Sequence, residues 1–188
     1  MDSLIESYLD FDYGLAFIIC VVLYGVYFFL MKKRAESRER SISKKEIWLG
    51  LLFCAYVVLI LGGTLLNRSI SENYGAEWVL LWSYKDAYEE ICTESTFGML
   101  EQIIHNVLMF IPWGILIPEI WRKMRSFHLV MVSALCFSAT IELTQLIFRC
   151  GLFEFDDMLH NTLGAVIGWG IWIGYRRIIK ERECYTKV

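Results

Sequence analysis

The chain has 188 residues, 56% of them hydrophobic and 21% charged, with a formal net charge of −3 and a mean hydropathy of +0.46. The apolar residues gather into five runs of 18 to 22 residues, each long enough to cross ~30 Å of hydrocarbon. So small a soluble fold has too little interior to bury them. That argues against a soluble enzyme, a nucleic-acid binder or a disordered chain, and for an integral membrane protein.

The first two runs, residues 14–31 and 47–66, are uncharged. The third, 102–121, carries Asn106, Pro112 and Glu119; the fourth, 127–148, carries Glu142 and Gln145; the fifth, 158–175, carries Asn161 and four glycines. None alternates with period two, as a membrane barrel requires, so each is expected to be helical. The expected fold is all-α and polytopic, with five transmembrane helices. Two N-terminal helices in residues 1–66 are joined by a basic loop at 32–46. An outer segment, 67–101, leads to a three-helix core at 102–175 and a tail at 176–188.

Charge orients these helices. Residues 32–45, 122–125 and 176–187 hold 15 of the 18 basic residues, leaving Arg68, Lys85 and Arg149 on the other side. By the positive-inside rule the N-terminus is outside and the C-terminus cytoplasmic. The first run follows Asp2, Glu6, Asp10 and Asp12 and precedes the positive charges, the pattern of a retained anchor rather than a cleaved signal peptide. The cluster at 32–45 reads as a topology determinant that also meets anionic lipid, with no nucleic-acid partner expected.

In the outer segment, Trp78, Trp82, Tyr84 and Tyr88 stand among leucines, which suits the headgroup level; a loop packed over helix ends fits equally well. Asn67-Arg68-Ser69 is a glycosylation tripeptide, meaningful only in a eukaryotic secretory pathway. Of the six cysteines, Cys20, Cys54 and Cys136 fall inside runs and Cys184 in the tail. Cys92 and Cys150 both fall in outer segments, where a disulfide is permitted; bonded and free states remain open alternatives. No CxxC or Cys/His metal spacing occurs.

Polar residues inside spans are costly, and their depth is informative. His105 and Asn106 lie about one turn below the outer surface, Glu142 about 9 Å deep, and His160 and Asn161 again about one turn down. Three helices thus place polar groups at one level. Glu142, Gln145 and Arg149 share a stripe at i, i+3 and i+7; Asp157, Asn161, Gly164 and Gly168 share another. Gly164-xxx-Gly168 and Gly170-xxx-Gly174 are small-xxx-small patterns for close helix packing. The expectation is a polar notch open to the outside, with Glu142, Arg149 and Asp157 as its charged members.

Plainer readings compete. Arg149 with Asp156 or Asp157 suits an interfacial ion pair; Asn106 and Asn161 suit hydrogen-bond glue between helices; His105 and His160 suit solvated interfacial positions; Glu119 suits a pair with Arg122 or Lys123. A Glu142/Asp157 pair has the chemistry for acid/base work if burial raises one carboxyl, and with a histidine it suits a hard cation such as Mg²⁺ or Ca²⁺. The spacing requires neither, and no cofactor is expected.

Three segments resemble the VanZ-like family of bacterial membrane proteins. His105-Asn106-Val-Leu-Met-Phe-Ile-Pro112-Trp-Gly114 resembles the family's N-x-x-x-F-x-P-x-G segment. Ile141-Glu142-Leu-Thr-Gln145 resembles its I-E-x-x-Q helix, and Arg149 with Asp157-Met-Leu-His-Asn161-Thr-Leu-Gly164 its R…D-x-x-x-N-T-x-G segment. They lie in the family's order over about residues 102–170. The upstream Asn-Leu-x-Pro-Phe element has no counterpart; that stretch reads Trp78-Val-Leu-Leu-Trp82-Ser-Tyr84.

The resemblance implies a multi-pass protein of the bacterial plasma membrane with a role in resistance to teicoplanin-type glycopeptides; it does not itself imply chemistry on the peptidoglycan precursor. The implied partners are membrane lipids and a lipoglycopeptide or lipid-linked cell-wall precursor. The candidate ligand residues are Asn106, Glu142, Gln145, Arg149, Asp156, Asp157 and Asn161, with Trp78 and Trp82 seating an acyl chain. Pro112, Gly114, Gly164 and Gly168 are assigned to helix shape and packing. The rivals are an intramembrane enzyme acting on a lipid or wall precursor, and a scaffold whose polar residues only join helices.

Overall fold

The computed structural model describes residues 13–66 and 75–185. The acidic N-terminal residues Asp2 to Asp12 and the Asn67-Arg68-Ser69 tripeptide lie outside them, as does Lys187. The chain divides into two compact units, residues 1–71 and 72–188.

The first unit holds α1 (Tyr13–Glu36) and α2 (Lys44–Leu61), the latter extended by a π-helical turn, Gly62–Leu66. Ser43 starts α2 with a capping box: its hydroxyl accepts the Glu46 N–H while Glu46 accepts the Ser43 N–H. Arg40 grips the same carboxylate through both terminal guanidinium nitrogens, at 2.9 and 2.7 Å, so the basic connection ends in a fixed turn. Ala16 and Val58 pack together with Ile19, Cys20 and Leu23. A side chain at Gly50 would fall on the Tyr27 ring.

The second unit begins with β1 (Gly75–Glu77) and α3 (Trp82–Glu89), which runs into a π-helical turn, Glu90–Glu94. Then follow α4 (Gly98–Ile120), a 3-10 turn (Arg122–Met124), α5 (Phe127–Phe148), β2 (Leu152–Glu154) and α6 (Phe155–Tyr185). β1 and β2 pair in parallel, Gly75 opposite Leu152 and Glu77 opposite Glu154. The two short strands were not anticipated, because three-residue pairings carry no periodic signal. α4 passes through Pro112 and Pro118 unbroken, as helices packed on neighbours in membranes can.

The glycines set the packing of α4 on α6. A Cβ on Gly164 would meet the Val107 carbonyl oxygen, one on Gly168 that of Ile111, and one on Gly114 that of Ala165. Contacts that advance by four residues along both helices mean that α4 and α6 run parallel. Asn161 reaches Ser138 on α5 and Trp169 reaches the Arg125 carbonyl just before it, so α5 runs antiparallel to both. The opposite end of the core is tied by Arg125 Nε to the Pro118 carbonyl (3.2 Å), Trp172 Nε1 to Glu119 (3.0 Å), and the Arg125 guanidinium 5.6 Å over the Trp172 ring. Glu119 thus has an indole partner that the sequence did not suggest.

Among the described residues four helices, α1, α2, α4 and α5, are long and apolar enough to cross a membrane. α6 is longer, at 31 residues, but His160, Asn161 and its glycines dilute its apolar stretch. Outward-facing Phe17, Phe29, Leu52, Leu108, Ile147 and Ile171 are exposed. Apolar surface on that scale is matched to lipid rather than water. The chain is an all-α membrane protein.

Candidate functional site

Helical phase brings polar side chains from α4, α5 and α6 into two tiers. Gln102 and Asn106 are four apart on α4, Ser138 and Glu142 four apart on α5, and Asp157 and Asn161 four apart on α6. Spacing by four keeps each pair on one helix face. Gln102, Glu142 and Asp157 form the upper tier with Glu154 of β2; Ser138 and Asn161 meet in the lower, and Asn106 lies one turn along α4 from Gln102.

In the upper tier Glu142, 3% exposed, accepts the Glu154 backbone N–H at 3.0 Å. Gln102 Nε2 donates to Glu154 Oε2 at 3.0 Å and stands 3.5 Å from Asp157 Oδ2. Glu142 therefore fixes the end of β2, and that strand delivers Glu154 to Gln102 and Asp157. In the lower tier Asn161 Nδ2 donates to Ser138 Oγ at 2.8 Å, a bond between α6 and α5. Asn161 Oδ1 and Asn106 Nδ2 are buried with no hydrogen-bond partner among the described residues. Asn161 thus has both a joining role and an oxygen left over.

Asp156 stands apart from this group. It is fully buried, and its carboxylate accepts the Leu81 N–H (2.7 Å), the Ser83 N–H (3.1 Å) and the Ser83 hydroxyl (2.7 Å). Leu81 caps α3 with a left-handed backbone, φ 64°, and has no capping side chain of its own; Asp156 supplies that cap from α6. Burial alone would raise this carboxyl, but the Ser83 hydroxyl and the two backbone N–H groups outweigh it and hold it below the ordinary carboxylate value. Asp156 clasps the start of α3.

Arg149 also departs from expectation. α5 ends at Phe148, and Arg149 is its C-cap with φ 55°, so it leaves the stripe that Glu142 and Gln145 share. Gln145 is buried, and its carbonyl accepts the Cys150 N–H at 3.0 Å. Cys150 is a buried free thiol and Cys92 an exposed one, so no disulfide joins them. His160 is buried rather than solvated, 2% exposed, with Nε2 3.1 Å from the Tyr84 hydroxyl. His105 is half-buried on α4. Trp78 is 66% exposed with its ring 4.7 Å from that of Phe153, while Trp82 is half-buried. Val79, Leu80 and Leu81 are exposed beside Trp78, forming an apolar tip above the clasp.

Among the described residues no group of three His, Cys, Asp or Glu side chains is placed to hold a metal ion. Sequence reasoning missed Glu154, Gln102, Ser83 and Ser138 as members of these networks. Ser138 had a signal, four residues before Glu142 on the same face. Ser83 had none, since its partner is 73 residues away.

The polar tiers lie on the segments that carry the family motifs, and a family-level match extends well beyond them. The model of the VanZ/LLP1 family matches residues 15–179, from α1 through most of α6. The chain belongs to the VanZ/LLP1 family. A curated relative, "Protein VanZ" of Enterococcus faecium, is 32% identical over 71 residues, covering 38% of this chain and 44% of the relative. The match thus spans under half of that protein's length. No solved structure matches.

Proposed function

We propose that this protein contributes to resistance against teicoplanin-type lipoglycopeptides at the bacterial plasma membrane, through the polar tiers of α4, α5 and α6 opening to the outer leaflet. The observation that carries the reading is the convergence of Gln102, Glu142, Glu154 and Asp157, polar groups of three helices and one strand, beneath an exposed aromatic tip. Membership of the VanZ/LLP1 family supports the role. In this reading α6 is the fifth crossing, the N-terminus is outside and the C-terminus cytoplasmic. The parallel course of α4 and α6, with α5 antiparallel, supports three successive crossings by the core. Trp78 and its apolar neighbours enter the outer interface and seat an acyl chain.

Expression of the wild-type protein in a sensitive Gram-positive host raises the inhibitory concentration of teicoplanin more than that of vancomycin, relative to empty vector. Equal susceptibility with and without the protein would overturn the role. The topology has its own test. Cys92 is exposed, and a membrane-impermeant maleimide labels it in intact cells; labelling only after permeabilisation would reverse the orientation.

A further inference from the structure

Two buried ring nitrogens, Trp82 Nε1 and His160 Nδ1, have no hydrogen-bond partner among the described residues, and the second faces a carboxylate. His160 is 2% exposed, its Nε2 meets the Tyr84 hydroxyl, and its Nδ1 makes no hydrogen bond among the described residues. Nδ1 stands 4.0 Å from Asp157 Oδ1, beyond hydrogen-bond length. Among the described residues the hydrogen bond to Asp157 Oδ2 is the long 3.5 Å approach of Gln102 Nε2, which gives its shorter bond to Glu154; His105 of α4 also lies within electrostatic reach of this carboxylate. At the next position, Asn161 Oδ1 is a second buried acceptor without a partner. Buried polar atoms left unmatched cost about 1–3 kcal/mol each, and native structures rarely leave several side by side.

The missing partner has a defined chemistry. When His160 holds its proton on Nε2 toward the Tyr84 oxygen, Nδ1 is an acceptor facing a carboxylate oxygen. A donor reaching both at about 2.8 Å across that gap subtends roughly 90°, an angle that two N–H bonds of one tetrahedral nitrogen approach. The neighbouring carboxylates of Asp157 and Glu154 favour positive charge on that donor. A compact group with several N–H bonds and a positive charge is a primary ammonium. A quaternary ammonium has no N–H to give, and the described residues offer no cluster for a metal ion.

We propose that Asp157, His160 and Glu154 form a binding site for a primary ammonium group, presented either by a lipid headgroup or by a free amine. The proposal rests on the functional reading above, whose polar site it shares, and names the chemistry that site recognises. The test uses the full-length protein in phosphatidylglycerol vesicles, which contain no amine, titrated with ethylammonium or with tetramethylammonium at equal ionic strength while the melting temperature is followed. Ethylammonium raises the melting temperature and tetramethylammonium does not. Asp157→Asn weakens the ethylammonium effect about tenfold, equivalent to about 1.4 kcal/mol, and Glu154→Gln weakens it independently should the first variant fail to fold.

Adding phosphatidylethanolamine in place of phosphatidylcholine separates the two sources. A lipid headgroup ligand makes phosphatidylethanolamine stabilise the protein and compete with ethylammonium; a free-amine ligand leaves the two lipids equivalent. Equal responses to ethylammonium and tetramethylammonium, or an ethylammonium response unchanged in the folded variants, would overturn the proposal. Amine binding without protection from teicoplanin leaves this site standing and removes the resistance role; protection without amine discrimination does the reverse.

Discussion

Replacing Gly164 or Gly168 by alanine destabilises the core by about 1–3 kcal/mol or more, while Gly170→Ala and Gly174→Ala on the same helix do not. At Gly164 a methyl group falls on the Val107 carbonyl and at Gly168 on the Ile111 carbonyl, with the Gly114 Cα also 3.1 Å away. These neighbours are backbone of α4, which cannot turn aside as a side chain can, so α4 and α6 must separate along their shared seam. Gly114→Ala meets the Ala165 carbonyl and behaves the same way. At Gly170 and Gly174 no atom lies within 4 Å among the described residues. There alanine only adds helix propensity, a gain of up to about 1 kcal/mol. Thermal unfolding of the purified variants in one detergent checks the contrast in sign. Equal effects at all positions would mean that the α4–α6 seam is wrongly placed.

Asp156→Ala costs about 3 kcal/mol or more, because it strands the Leu81 and Ser83 N–H groups and the Ser83 hydroxyl without their acceptor. Ser83→Ala removes one of these bonds and costs about 1 kcal/mol. In Asp156→Ala the amides of residues 81–83 exchange hydrogen much faster than in wild type, whereas those of the α4–α6 seam change little. The pH dependence follows from the direction of the carboxyl's shift. Asp156 titrates lower when folded than when unfolded, so its contribution is complete above the ordinary aspartate value of about 4. It is lost as pH falls through the lowered folded value. Wild type therefore loses stability in strong acid that Asp156→Ala does not have to lose; parallel acid profiles for the two would contradict the clasp.

These two results mark what the sequence discloses and what it hides. The patterns Gly164-xxx-Gly168 and Gly170-xxx-Gly174 are identical as text, yet only the first meets a neighbour. Spacing tells that a face is narrow; it does not tell which face another helix covers. The apolar runs were legible because crossing a bilayer demands length and composition, and the burial of Asn106, Glu142 and Asn161 accords with their places in those runs.

Asp156 and Glu154 were harder. Both sit just outside a run, where a carboxylate has no depth to make it conspicuous, and their partners are 73 and 52 residues away. A stripe through Glu142, Gln145 and Arg149 presumes helix one residue beyond the end of α5, where Arg149 instead turns left-handed. His160 reads as interfacial by position but is covered by Tyr84 of α3, a contact that no local pattern encodes.

The central claim is that the polar tiers act on something beyond the fold. The most direct measurement compares protection from teicoplanin and melting temperature in the same membranes for wild type, Glu142→Gln and Asp157→Asn at matched expression. The account predicts that at least one variant, still folded and melting close to wild type, loses protection. Full protection by both variants, or a loss that merely follows the fall in melting temperature, would reduce these carboxylates to helix joinery.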